Sequence, residues 1–155
     1  MVTDLDTLVR AVDDPELPHV TIGELGMVRS VELDGHAAMV RLTPTYTGCP
    51  ATEQIQADVE AAVAAAGYEP HVEFVWSPPW STDDITPAGR AKLHAAGIAP
   101  PAPAGDGPVA LDLPVACPWC GSRRTRLTAG FGATACKSLH QCDACRQPFE
   151  SFKAL

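Results

Sequence analysis

Two Cys-x-x-Cys pairs constrain this chain more than any other feature. Cys117-Pro118-Trp119-Cys120 and Cys142-Asp143-Ala144-Cys145 stand with 21 residues between them. Two thiolates on one tight turn can share a single ion, and a second such turn completes a tetrahedron with sulfur at about 2.3 Å. Gly121 supplies a permissive backbone position just after the first pair. The segment that holds both pairs, 114–155, has roughly 40 residues, below the size at which an apolar core usually suffices alone. A structural zinc, worth on the order of 10–16 kcal/mol of apparent binding energy, offsets that deficit. The runs 125–128, 137–141 and 147–152 suit the antiparallel strands of a zinc ribbon. Zinc is expected ahead of iron.

The rest of the chain has a different character. Residues 1–98 carry five basic and fifteen acidic side chains, whereas 114–155 carry six basic and two acidic. Between them, 99–113 is rich in proline, alanine and glycine, and proline there excludes a helix or an inner strand. It reads as a semi-extended linker joining two lobes. The overall charge of −8 argues against a general nucleic-acid binder, whose footprint is a basic surface. The acidic opening residues predict no signal peptide, and no run is long enough for a membrane span. A cytoplasmic protein is expected, in which the six cysteines stay reduced and serve as ligands or reactive thiols before disulfides.

The acidic lobe alternates helix and strand. Leu5, Leu8, Val9 and Val12 recur at helical spacing, and Pro15 closes that helix. The runs 29–33 and 37–43 are strand-like around Asp34-Gly35, a turn pair suited to a tight hairpin. A second helix is expected over 50–66, with Ile55, Val59, Ala62, Val63 and Ala66 on one face and Gly67 at its C′ position. A third strand follows at 71–77. Thr86-Pro87 then provides an N-cap and first turn for a last helix ended by Gly97 and Pro100. The expected fold class is α+β: a small domain of helices on a three-stranded sheet over 1–98, then the small ribbon β domain over 114–155.

Several side chains outside the four-cysteine set are candidates for function. Cys49 precedes Pro50, so the second helix is expected to start there with the Cys49 sulfur at its N-cap, where free N–H groups favour a thiolate. A buried spacer fits the same position. Asp14 and Glu16 beside Pro15 read as a solvated acidic turn, or, should the turn fold back near Cys49, as carboxylate donors for a metal in transit. Cys136 suits a small core position or a further thiol role, and His140 a packed or solvated one. Trp76 and Trp80 frame a proline-rich exit from the third strand that serves either a partner surface or packing. Arg123, Arg124 and Arg126 can face an acidic protein surface or phosphate.

Taken together, Asp14-Pro15-Glu16, Ile22-Gly23-Glu24-Leu25-Gly26, Thr43-Pro44-Thr45-Tyr46-Thr47-Gly48-Cys49-Pro50 and Ser77-Pro78-Pro79-Trp80 resemble the metal–sulfur cluster assembly family. The ribbon, with Phe131-Gly132, Cys136-Lys137-Ser138-Leu139 and Pro148-Phe149 around its four cysteines, resembles the PaaD-like branch. Glu24 replaces the more usual aspartate, and Asp84 stands where relatives often carry tryptophan. The resemblance implies a non-catalytic accessory factor of the system that epoxidises the ring of phenylacetyl-CoA during aerobic phenylacetate breakdown. It implies the oxygenase and reductase components as partners, and help in assembling an iron or iron–sulfur centre, with Cys49 at the family's motif cysteine. The chain lacks the two helical Glu-x-x-His motifs of a di-iron bundle and a Gly-rich dinucleotide fingerprint, which agrees with a non-enzymatic role. A stoichiometric structural subunit of the oxygenase and a nucleic-acid-binding ribbon regulator are the readings from other classes.

Overall fold

The structure, a computed structural model, describes residues 2–17, 19–101 and 114–153. Most of the expected linker, 102–113, lies outside the described residues. The chain forms two compact units. One contains the residues up to Trp80 with Asp84–Gly89, and the other contains Ser81–Asp83 with the residues from Arg90 onward.

In the first unit, α1 (Val2–Arg10) buries Leu5 and Val9, one turn apart, and leaves Leu8 half exposed. Strands β1 (Val28–Asp34) and β2 (Ala37–Leu42) form an antiparallel hairpin. Asp34 pairs with Ala37, so the turn is Gly35-His36, one residue later than expected, with Gly35 at φ 60°. Strand β3 (Glu69–Phe74) lies parallel to β2. A parallel neighbour requires a crossover, and α2 (Thr52–Ala65) is that crossover. Its Ile55, Val59 and Val63 follow at four-residue intervals, and all are buried, as are Ala38, Val40 and Leu42 on β2. On β2, Arg41 instead reaches Glu32 at 3.2 Å and Glu73 at 2.7 Å through well-exposed side chains. Pairs so exposed add little stability, but they keep the outer face of the sheet polar.

The helix ends follow from local chemistry. Tyr68 N–H donates to Val63 O and Gly67 N–H to Ala64 O, with Gly67 at φ 88°, which is a Schellman stop at the expected glycine. Thr86 Oγ1 accepts from Gly89 N–H, so Thr86 does cap α3 (Pro87–Ala95). Glu24 has a structural use. Its carboxylate accepts from Thr21 N–H at 3.0 Å while Thr21 Oγ1 accepts from Glu24 N–H at 3.1 Å, a reciprocal box that holds the turn before β1. Asp84 pairs with Arg29 at 3.3 Å.

The second unit is a four-stranded sheet in the order β4-β7-β6-β5, from β4 (Ile98–Ala99), β5 (Thr125–Ala129), β6 (Lys137–Cys142) and β7 (Pro148–Phe152). The last three match the expected ribbon strands and are antiparallel. Ile98 and Ala99, where lobe and linker were expected to meet, are both buried and run parallel to β7. A two-residue strand carries no periodicity, so its pairing was not visible beforehand. Lys137 is buried against Glu150 at 3.0 Å, and the other Glu150 oxygen accepts from Ala133 N–H, tying the 130–136 loop to β7. Burial opposes the Glu150 charge, but the Ala133 amide and the Lys137 ammonium outweigh it and hold the carboxyl below its ordinary range.

Candidate metal centre and the Cys49 site

The two knuckles bring Cys117, Cys120, Cys142 and Cys145 together, with all four sulfurs within 4.8 Å of one another. The Cys117 and Cys145 sulfurs are 3.7 Å apart and those of Cys120 and Cys142 3.6 Å apart. A tetrahedron with metal–sulfur bonds of about 2.3 Å has edges of about 3.8 Å. The donor set therefore fits one tetrahedral ion. Each knuckle is closed by its own backbone. Gly121 N–H donates to Cys117 O and Arg146 N–H to Cys142 O, while Cys117 and Cys142 N–H reach Ser122 and Gln147 carbonyls. The residue after each second cysteine is left-handed, Gly121 at φ 72° and Arg146 at φ 65°.

The four thiols are not equivalent. The Cys145 amide donates to the Cys142 sulfur at 3.5 Å. That bond, helped by the Ala144 amide and neighbouring thiols and opposed by burial, draws the Cys142 thiol down to about 7. At Cys145 the Gln147 amide favours the thiolate, but burial and the three neighbouring sulfurs prevail and push it up to about 12. Of these two, Cys142 is the thiol more ready to take up a cation. Cys117, Cys142 and Cys145 also belong to the apolar cluster of the ribbon, with Ala99, Val115 and Phe149.

The remaining candidates sort by geometry. Cys136 is buried outside the four-sulfur set, with Thr134 Oγ1 at 3.1 Å from its sulfur. His140 stacks on Phe149, accepts from or donates to Ser138 Oγ at 3.0 Å, and has its pKa lowered by burial, so it is packed rather than solvated. Arg126 pairs with Asp143 and Gln141 within the ribbon, while Arg123 and Arg124 are exposed. Trp76 is exposed, but Trp80 is buried and its indole N–H donates to Leu25 O at 2.7 Å. The expected surface thus keeps one of its two tryptophans.

At Cys49 the expectation needs a correction. The helix starts at Thr52, and Ala51 is its N-cap residue. Cys49 is two residues earlier, and its carbonyl accepts from both Thr52 N–H and Thr52 Oγ1. Proline fits the second position of a turn as well as the first of a helix, and here Pro50 takes the turn. The cysteine therefore lies outside the helix, half-buried in the loop that leads into it. The acidic turn does fold back: Glu16 Oε2 is 3.9 Å from Cys49 Sγ, across 33 residues of chain. Asp14 is buried, not solvated. Its Oδ1 accepts from Glu16 N–H at 2.8 Å and Leu17 N–H at 3.1 Å, so it shapes the turn that presents Glu16. Among the described residues, the ribbon cysteines are the single group of three or more donors able to enclose an ion. Cys49 and Glu16 offer two.

Fold and sites define a two-part protein, an α+β unit with a thiol–carboxylate pair followed by a ribbon whose four cysteines have the geometry of a metal site. Residues 3–73 match the iron–sulfur cluster assembly protein family and residues 102–153 the PaaD zinc beta ribbon domain. A protein of Escherichia coli K12, provisionally named as a component of 1,2-phenylacetyl-CoA epoxidase, is 43% identical over 156 residues, covering 99% of this chain and 93% of its own. The chain belongs to the PaaD family. The Fe-S protein maturation auxiliary factor SufT of Staphylococcus aureus is 39% identical over 85 residues, 53% of this chain and 96% of that protein. The crystal structure of a domain of unknown function from Bacillus anthracis, 34% identical, superposes with a TM-score of 0.55 over 59% of this chain and 90% of that one. No helix among the described residues is long and apolar enough to cross a membrane.

Proposed function

We propose that this protein is a non-catalytic maturation factor of a phenylacetyl-CoA epoxidase system, assisting the assembly of an iron or iron–sulfur centre in a partner component. The observation that carries the reading is the pair of Cys49 Sγ and Glu16 Oε2 at 3.9 Å. A soft thiolate and a hard carboxylate together suit iron. Two donors leave coordination positions open, as a site that passes its cargo on requires. The likeness to a maturation auxiliary factor over the α+β unit supports the same role. In the ribbon, Cys117, Cys120, Cys142 and Cys145 would hold zinc, which supplies folding energy rather than chemistry.

The test is Cys49→Ser. The variant should keep its fold and the ribbon metal, yet lower oxygenase activity in cells, while a preassembled oxygenase and reductase still turn over in vitro. Growth on phenylacetate, iron content of the purified components and the variant's melting temperature are measured together. Normal growth with fully metallated components would refute the role.

A further inference from the structure

We propose that the knuckle end of the ribbon is a docking surface for an acidic segment of a partner protein, anchored on Trp119. Among the described ribbon residues from 114 onward there are two carboxylates, and both are engaged internally, Asp143 with Arg126 and Glu150 with Lys137. Lys153 lies over the Phe131 ring and donates to Ala135 O. That leaves Arg123, Arg124 and Arg146, all exposed and in no ion pair among the described residues. All three belong to the metal end. Asp143 N–H donates to Arg124 O at 2.8 Å, which sets the 123–124 segment against the second knuckle, and Arg146 directly follows Cys145.

Two further observations point to a partner. Trp119, inside the first knuckle, is 56% exposed, yet its ring is seated against Gly97 so closely that a methyl group there would collide with it. The ring is thus held in place with much of its surface open to water. A preordered tryptophan loses little entropy on binding, and tryptophan with arginine dominates interface energetics. Second, Arg146 occupies a left-handed position whose counterpart in the other knuckle is Gly121. A side chain there is strained relative to glycine, so local stability does not explain the arginine.

The sign of the partner follows from charge. A divalent ion with four thiolates carries two negative charges, fewer than the three arginines, so the loaded end remains cationic. Nucleic-acid backbones require a continuous basic groove, whereas this patch is short, three arginines at one end of the ribbon. An acidic protein segment with one apolar side chain for Trp119 is the better fit. The docking surface is separate from the cargo role of Cys49 and does not rest on it.

The probe is a short fluorescent peptide of glutamates with one central leucine, titrated into the zinc-loaded full chain and read by anisotropy. Saturable binding that weakens with salt is expected. The Arg123→Gln, Arg124→Gln, Arg146→Gly triple variant should bind about tenfold more weakly with unchanged zinc content. Replacing the leucine by serine, or the glutamates by glutamine, should also weaken binding, while Cys49→Ser should bind normally. Failure of the parent chain to bind the peptide, or equal binding by the triple variant, would overturn the proposal. So would tighter binding of a single-stranded oligonucleotide. Zinc loss in the triple variant would instead assign the arginines to the metal centre and also overturn it.

Discussion

Cys142→Ser tests the metal centre at its most connected point. Cys142 is fully buried, its sulfur lies 3.6 Å from that of Cys120, and it accepts the Cys145 amide. Three of the six residues in its apolar cluster are ligands, so losing the ion also unmakes half of that cluster. A serine hydroxyl stays protonated near neutral pH and is a poor fourth ligand. Release of a structural zinc removes on the order of 10 kcal/mol, comparable with the whole net stability of a typical domain, about 5–15 kcal/mol. The second unit should therefore lose its order, with protease cleavage appearing within 114–153. A chelator should do the same to the parent chain, and added zinc should reverse it. Because the Cys142 thiol titrates at about 7 and Cys145 at about 12, zinc uptake must displace protons. Affinity should accordingly rise from about pH 6 to 8. Metal analysis, limited proteolysis and a thermal melt read the outcome together. A serine variant that retains one equivalent of zinc and full protease resistance would refute the four-cysteine assignment.

Other expectations concern the ion pair and the tryptophans. Glu150→Ala strands the buried Lys137 ammonium and the Ala133 N–H, and should destabilise the ribbon by about 3 kcal/mol in a denaturant melt; a Lys137→Met, Glu150→Leu double variant should recover part of that loss. Since the folded Glu150 carboxyl is held low, its contribution is present above the ordinary carboxylate pKa and fades as pH falls through the depressed folded value. An acid titration of stability should show that decline in the parent and lack it in Glu150→Ala. Trp80→Phe leaves the Leu25 carbonyl without its donor and should cost about 1–3 kcal/mol, while Trp76→Ser should stay within about 0.5 kcal/mol in the same assay.

What the sequence determined on its own was whatever a short stretch of chain decides locally. The ribbon ligands could be read because each Cys-x-x-Cys turn gathers two donors by covalent spacing, and four sulfurs within 4.8 Å of one another are the result. Gly67 and Thr86 announced helix ends because their capping bonds span a few residues. The order of helices and strands followed from apolar periodicity. The structure alone decided the contacts between distant segments. Glu16 meets Cys49 across 33 residues, and no local preference could say that the acidic turn folds back or that Asp14 faces inward to hold it. Trp80 looked as free as Trp76 until Leu25 supplied an acceptor from 55 residues away. The expected helix start at Cys49-Pro50 failed for a subtler reason: the same fixed proline φ serves a turn or a first helical residue, and only the folded loop, which delays the helix to Thr52, selects between them.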